Sequence, residues 1–85
     1  MRIRNAGSNM TEVTWKKKGL DVTVLFSYET PVACHIEETM QFYRTEHKWS
    51  ATTTRHINKW LREQGQPGKV VEMPQSFFDT LATTA

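Results

Sequence analysis

The sequence holds a single cysteine, Cys34, so no disulfide can close within the chain. A lone thiol set in an apolar alternation fits a reducing compartment better than a secreted one. Proline and glycine are sparse, three and four residues, and are scattered among repeats of nothing: no internal repeat, low-complexity tract or interdomain linker is present. No apolar run approaches the roughly 18 residues of a membrane span, and the basic start Met1-Arg2-Ile3-Arg4 is not followed by the apolar stretch of a signal peptide. The expectation is a protein neither exported by such a peptide nor embedded in a bilayer. Charge of one sign is not in excess either. Eleven Lys and Arg against nine Asp and Glu give a formal +2, milder than the basic surplus usual in nucleic-acid binders, so charge placement must decide what total charge does not.

What the chain does have is large side chains. Apolar residues make up 38% and aromatics 11% of its 85 residues, including three Trp and four Phe. That is enough to close one compact core without disulfide or metal, and too little length for two.

Periodicity assigns the elements. Thr11, Val13 and Trp15 share one parity in a β-branched and aromatic run, which predicts a strand over 10–16. Lys16-Lys17-Lys18-Gly19 then makes a hairpin tip. Val22, Val24, Phe26 and Tyr28 alternate with Thr23, Leu25 and Ser27, apolar enough on both parities to mark 20–28 as the central, most buried strand. Pro31 removes a ladder donor and predicts a bend before a strand over 32–37, followed by a polar turn at Glu37-Glu38-Thr39 and a strand over 40–45. Short turns between these predict an antiparallel meander.

The clearest helix spans 51–64. Ser50 is a good N-cap, Gly65 a good C′ residue, and Thr53, Ile57, Trp60 and Leu61 form one stripe that should press on the strand over 22–28. Gln66-Pro67-Gly68 reads as a loop, Val70-Val71 as a short edge strand, and Pro74 as the start of a short helix over 74–82 in which Phe77, Phe78 and Leu81 meet, before 82–85 frays. The expected fold is therefore α+β: a three- to four-stranded antiparallel meander packed against one main helix, with a short C-terminal helix, as a single domain.

Leu25-Phe26-Ser27-Tyr28-Glu29-Thr30-Pro31-Val32-Ala33, Tyr43-Arg44-Thr45, Lys48-Trp49-Ser50 and Thr53-Thr54-Arg55-His56-Ile57-Asn58-Lys59-Trp60-Leu61 resemble a family of short uncharacterised bacteriophage proteins. The likeness runs from about residue 9 to 81 and includes Val71-Glu72-Met73-Pro74-Gln75-Ser76-Phe77-Phe78. It implies a phage or prophage origin and an accessory product acting in the host cytoplasm, and it carries no activity to transfer to particular residues.

Catalytic chemistry finds little purchase. Cys34, His35, His47 and His56 lack the spacing of paired metal ligands, and strand alternation sends Cys34 and His35 to opposite faces, so no metal or cofactor is expected. Cys34 has no helix N-terminus behind it, Glu37 and Glu38 lie side by side on a polar turn, and no glycine-rich phosphate loop exists. The reading is a binding protein, not an enzyme. Two partner classes compete: a host or phage protein, or a second copy through an exposed sheet edge, with Trp49 as the exposed anchor; and DNA or RNA, met by Lys17, Lys18, Arg44, Lys48, Arg55, Asn58, Lys59 and Arg62 as one basic surface.

Overall fold

A computed structural model describes residues 1–65 and 69–83; the loop expected at 66–68 and the last two residues of the end expected to fray, 84–85, lie outside the described residues, whereas 82 and 83, expected to fray with them, are helical because the final helix runs on to Thr83. Its elements in chain order are β1 (Arg2–Gly7), β2 (Met10–Lys17), β3 (Leu20–Ser27), β4 (Thr30–Ile36), β5 (Gln41–Thr45), α1 (Ala51–Glu63), β6 (Val70–Met73) and α2 (Gln75–Thr83). The class is α+β, and the sheet is larger than the meander read from the sequence. Six strands lie in the order β1-β2-β3-β4-β5-β6; the first five are antiparallel neighbours, while β6 returns parallel to β5 after the α1 crossover.

Tight turns set the meander. Lys17 pairs with Leu20, so only Lys18 and Gly19 make the β2–β3 turn, with φ of 54° and 82°. Positive φ at both central positions matches the right-handed twist of the strands, and glycine accepts it without a Cβ penalty. Asn9 and Tyr28 take positive φ at the two turns at the opposite end of the sheet, and the Tyr28 N–H donates to the Asn9 carbonyl at 2.7 Å, locking those turns together.

Two expectations need correcting at β4 and β5. Pro31 does not precede its strand but lies within it, opposite Phe26, beside the register shift at Leu25/Phe26. A proline is tolerated where the ladder is already irregular. Met40 belongs to the preceding turn with φ 55°, and β5 starts at Gln41.

The central point of the architecture is that both faces of the sheet are covered. On one face Leu25, Val32, Met10 and Ala6 pack with Ile57, Trp60 and Leu61 of α1. On the other, Val22, Val24 and Cys34 pack with Phe78 of α2. The α1 stripe is buried as its spacing required, all of Thr53, Ile57, Trp60 and Leu61 being inside. Val22 and Val24, by contrast, face α2 and not α1. This is why β3 reads apolar on both parities: each parity feeds a different core.

Capping fixes α1. Ser50 is extended (φ −156°, ψ 166°) and its Oγ accepts the Thr53 N–H at 3.1 Å, while Gly65 at the far end has φ 66° and donates its N–H to the Arg62 carbonyl at 3.1 Å. The start of α2 is tied down by a residue whose role its sequence position did not suggest. Gln75 donates to the Pro31 carbonyl at 2.7 Å, and its Oε1 accepts from Thr45 Oγ1 at 2.8 Å and from Trp49 Nε1 at 3.0 Å. One side chain thus joins β4, β5 and the approach to α1.

Candidate functional site

Three regions gather the side chains capable of recognition or chemistry, two on the surface and one buried. The first is an open groove along the flank of α1. Arg44 on β5, Asn58 and Arg62 on α1, and Glu72 on β6 line a concavity of ≈ 820 Å³, where Arg44 Nη1 donates to Asn58 Oδ1 at 3.1 Å. It continues through Arg44 and Glu72 into a second concavity of ≈ 360 Å³ that adds Lys48, Trp49, Ser50 and Glu46. The structure therefore brings Arg44, Lys48, Trp49, Asn58 and Arg62 together, mixed with two carboxylates.

The rest of the anticipated basic surface is elsewhere. Lys59 Nζ lies beside Gly7, so its side chain reaches over the β1–β2 turn, and Arg55 and Lys59 together charge the surroundings of His56. Strand alternation puts Lys17 on the opposite face, against Phe77 and Leu81, and Lys18 is in the β2–β3 turn. Neighbouring Lys16 is engaged with Asp21 at 2.9 Å. Trp49 is 47% exposed, yet its indole N–H is used by Gln75 and its ring meets His47 edge-on at 4.3 Å between centroids.

The second region is a buried polar latch between β3 and α1. Ser27 Oγ lies 2.8 Å from His56 Nδ1 and 3.1 Å from Thr53 Oγ1, and Tyr28 covers the imidazole at 5.8 Å between centroids. A serine hydroxyl beside an imidazole suggests a nucleophile and its base. Ser27 is only 2% exposed, however, and the pair is better described as the hydrogen-bonded anchor of the first turns of α1. Sequence reading missed it because Ser27 and His56 are 29 residues apart and neither stands in a motif.

Burial holds His56 below its ordinary value of 6.5, with the charges of Lys59 and Arg55 acting in the same direction. The folded protein thus takes up this proton less readily than the unfolded chain does. Stability from this site is complete above about 6.5 and declines as pH falls through that value toward the folded one. Urea midpoints measured on either side of pH 6.5 are expected to show this decline in the wild type and to lose it in His56→Gln. An unchanged decline would assign it to another group.

Glu12 titrates in a separate, lower window. Burial alone would raise its pKa, but hydrogen bonds from Arg4 and from the Trp60 indole N–H (2.8 Å) outweigh that and hold the carboxyl below its ordinary 4.5. Cys34, buried in the core under α2, has its thiol pushed up to about 12 by burial. At neutral pH it is a protonated core residue. Among the described residues no cluster of three or more His, Cys, Asp or Glu side chains is arranged to hold a metal ion.

The third region is sheet surface that neither helix covers completely. α2 packs chiefly over β4, and toward β1 on the same face burial falls away, Val13 and Trp15 being half-buried and Ile3 exposed. There Ile3 pairs with Val13, which pairs with Val24, so a cross-strand apolar line leaves the core and emerges at Ile3, 68% exposed. Trp15 and Phe26 are half-buried along its margin. This region was missed because residues 2–7 were not read as a strand; the signal available was the Arg2-Ile3-Arg4 alternation, which is short and has one apolar member.

All of these elements, from β1 to most of α2, fall within one match. The model of a family described as a family of unknown function (DUF8033) covers residues 1–80. The chain belongs to that family. No curated protein and no solved structure matches it. As a DUF8033 member the chain is a small α+β domain, and among its described residues no helix is long and apolar enough to cross a membrane.

Proposed function

We propose that this is a small accessory protein of phage origin that works in the host cytoplasm by binding, not turnover, and that its principal partner is a protein. The observation that carries the reading is the incompletely covered half of the sheet face beside α2, where exposure rises from half-buried Val13 to exposed Ile3. Ile3 and Val13 stand there in a direct cross-strand line with the core, with Trp15 and Phe26 at the margin. An apolar patch on strands that are already paired needs little backbone ordering when a partner covers it, so less of the gain from removing its apolar area from water is offset by ordering the chain.

A second reading has its own support in the groove along α1, where Arg44, Arg62 and Lys48 supply phosphate contacts and Trp49 a ring for stacking. Glu46 and Glu72 line the same walls and oppose a polyanion. The protein-binding reading is preferred for that reason.

Capture from host lysate separates the two. Under the preferred reading, nuclease treatment leaves the captured protein in place, Val13→Lys abolishes capture while circular dichroism stays unchanged, and the pair Arg44→Glu with Arg62→Glu captures normally. Capture that disappears with nuclease or with the arginine reversals, and that falls steeply as salt rises, belongs to the nucleic-acid reading. Undiminished capture by Val13→Lys would remove this face as the binding surface.

A further inference from the structure

Both edges of the sheet are open, and they differ in a way that makes them complementary. Among the described residues β1 pairs only with β2 and β6 only with β5, so each presents one row of backbone N–H and C=O groups without a strand partner there. Following the pairings across the sheet, β1, β3, β5 and β6 all run in one direction. A second copy laid alongside with its faces in the same sense therefore presents β1 parallel to β6, and the fold already contains one parallel pair.

Alternation then decides which side chains meet. On β1, Arg4 is on the α1 face, where it bonds Glu12, and Arg2 shares its parity; Ile3, paired with Val13, is on the α2 face. On β6, Glu72 is on the α1 face beside Arg44, and Val71, paired with Tyr43, is on the α2 face. Joining the two edges sets arginine against Glu72 on one face and Ile3 against Val71 on the other. Ile3 and Val71 are 68% and 38% exposed in the single chain.

Pairing of like edges does not offer this. Two β1 strands in the antiparallel registers centred on Ile3 or on Arg4 oppose arginine to arginine, a destabilising arrangement. Two β6 strands centred on Glu72 oppose carboxylates, and each has only four residues to pair. Neither strand contains lysine or proline; the devices present are the four-residue length of β6, and on β1 two arginines and a register shift between Asn5 and Gly7, beyond the Arg2–Arg4 stretch. The arginines of β1 guard it against its own kind and not against β6.

We propose that copies of this chain associate head to tail, β1 of one against β6 of the next, extending the sheet from protomer to protomer. Such a contact is heterologous, so it generates open chains or closed rings and not a two-fold dimer. The occupant of the edges is another copy of this chain; the proposal rests on the binding reading only in sharing Ile3, which the next copy would cover, and it leaves Val13, Trp15 and Phe26 for a different protein.

Sedimentation velocity over a concentration series, at low and high salt, tests this. The wild-type mass is expected to rise with concentration beyond that of a dimer, less so at high salt. Ile3→Lys and Val71→Lys, both at exposed positions, are each expected to be monomeric. Mixed, they are expected to form a discrete dimer, because each retains the edge that the other has lost. A wild type that stays monomeric throughout overturns the proposal, as does a mixture that stays monomeric, or an Ile3→Lys protein that dissociates while Val71→Lys assembles normally. A monomer that still captures its partner through the Val13 face leaves the binding reading intact and removes only this one.

Discussion

Replacing Trp60 with alanine is expected to lower the unfolding free energy by about 3–5 kcal/mol, a large fraction of the stability of a domain of this size. The indole is fully buried at the centre of the α1-side core and meets Phe42 edge-on at 5.9 Å between centroids. Its loss opens a cavity between α1 and the sheet and also strips a donor from Glu12, a side chain only 12% exposed. Trp60→Phe separates the two effects. It keeps most of the ring volume, so its cost should be near the ~1–3 kcal/mol of a buried acceptor deprived of one partner. The part of the acid-induced loss of stability that belongs to Glu12 should also shrink, because a carboxyl left with Arg4 alone is held less far below 4.5 in the folded state. Urea titration of both variants at neutral and acidic pH checks this. A loss below about 1 kcal/mol for the alanine variant would contradict the packing of α1 on the sheet.

Phe78→Ala is expected to cost a similar amount, about 3–5 kcal/mol, although it lies on a nine-residue helix near the end of the chain. If the sheet had one covered face, a short terminal helix would be peripheral and its loss minor. In this fold Phe78 is fully buried and is the member of α2 that closes over Val22, Val24 and Cys34. Phe77, half-buried against Tyr43 at 5.4 Å between centroids, should cost distinctly less. Comparing Phe77→Ala with Phe78→Ala by urea unfolding decides the matter. Equal and small effects would mean that α2 does not build a second core.

The two variants also expose how much of the fold was legible from residues alone. Trp60 was placed correctly by spacing, because Thr53, Ile57, Trp60 and Leu61 recur at helical intervals between a strong cap at Ser50 and a strong stop at Gly65. Phe78 was placed on a short helix, but its partner surface was not identified. The alternating run from Val22 to Ser27 showed apolar residues on both parities, and that pattern says a strand is buried on two sides without saying by what.

The candidate surfaces divide in the same manner. Arg44, Lys48, Trp49, Asn58 and Arg62 were singled out by residue type and do share a groove, since β5 and α1 are adjacent in the sequence and pack together. Lys17 and Lys18 were joined to them on charge alone, and the parity of β2 turned Lys17 to the other face. The Ser27–His56 latch, the Gln75 clamp and the line from Val24 to Ile3 carry no local pattern at all.

By itself the sequence determined the α+β class, the identity of the main helix and its buried stripe, the central strand and most of the turns, because these follow from periodicity, capping and backbone preference over a few residues. Only the tertiary structure decided that β1 completes the sheet, that β6 returns parallel beside β5, that the helices cover opposite faces, and that one half-face stays incompletely covered and both edges open. Those outcomes depend on contacts between residues far apart in the chain. A side chain's parity tells which neighbours share its face, but which helix arrives there, or whether any does, is settled by the path of the whole chain.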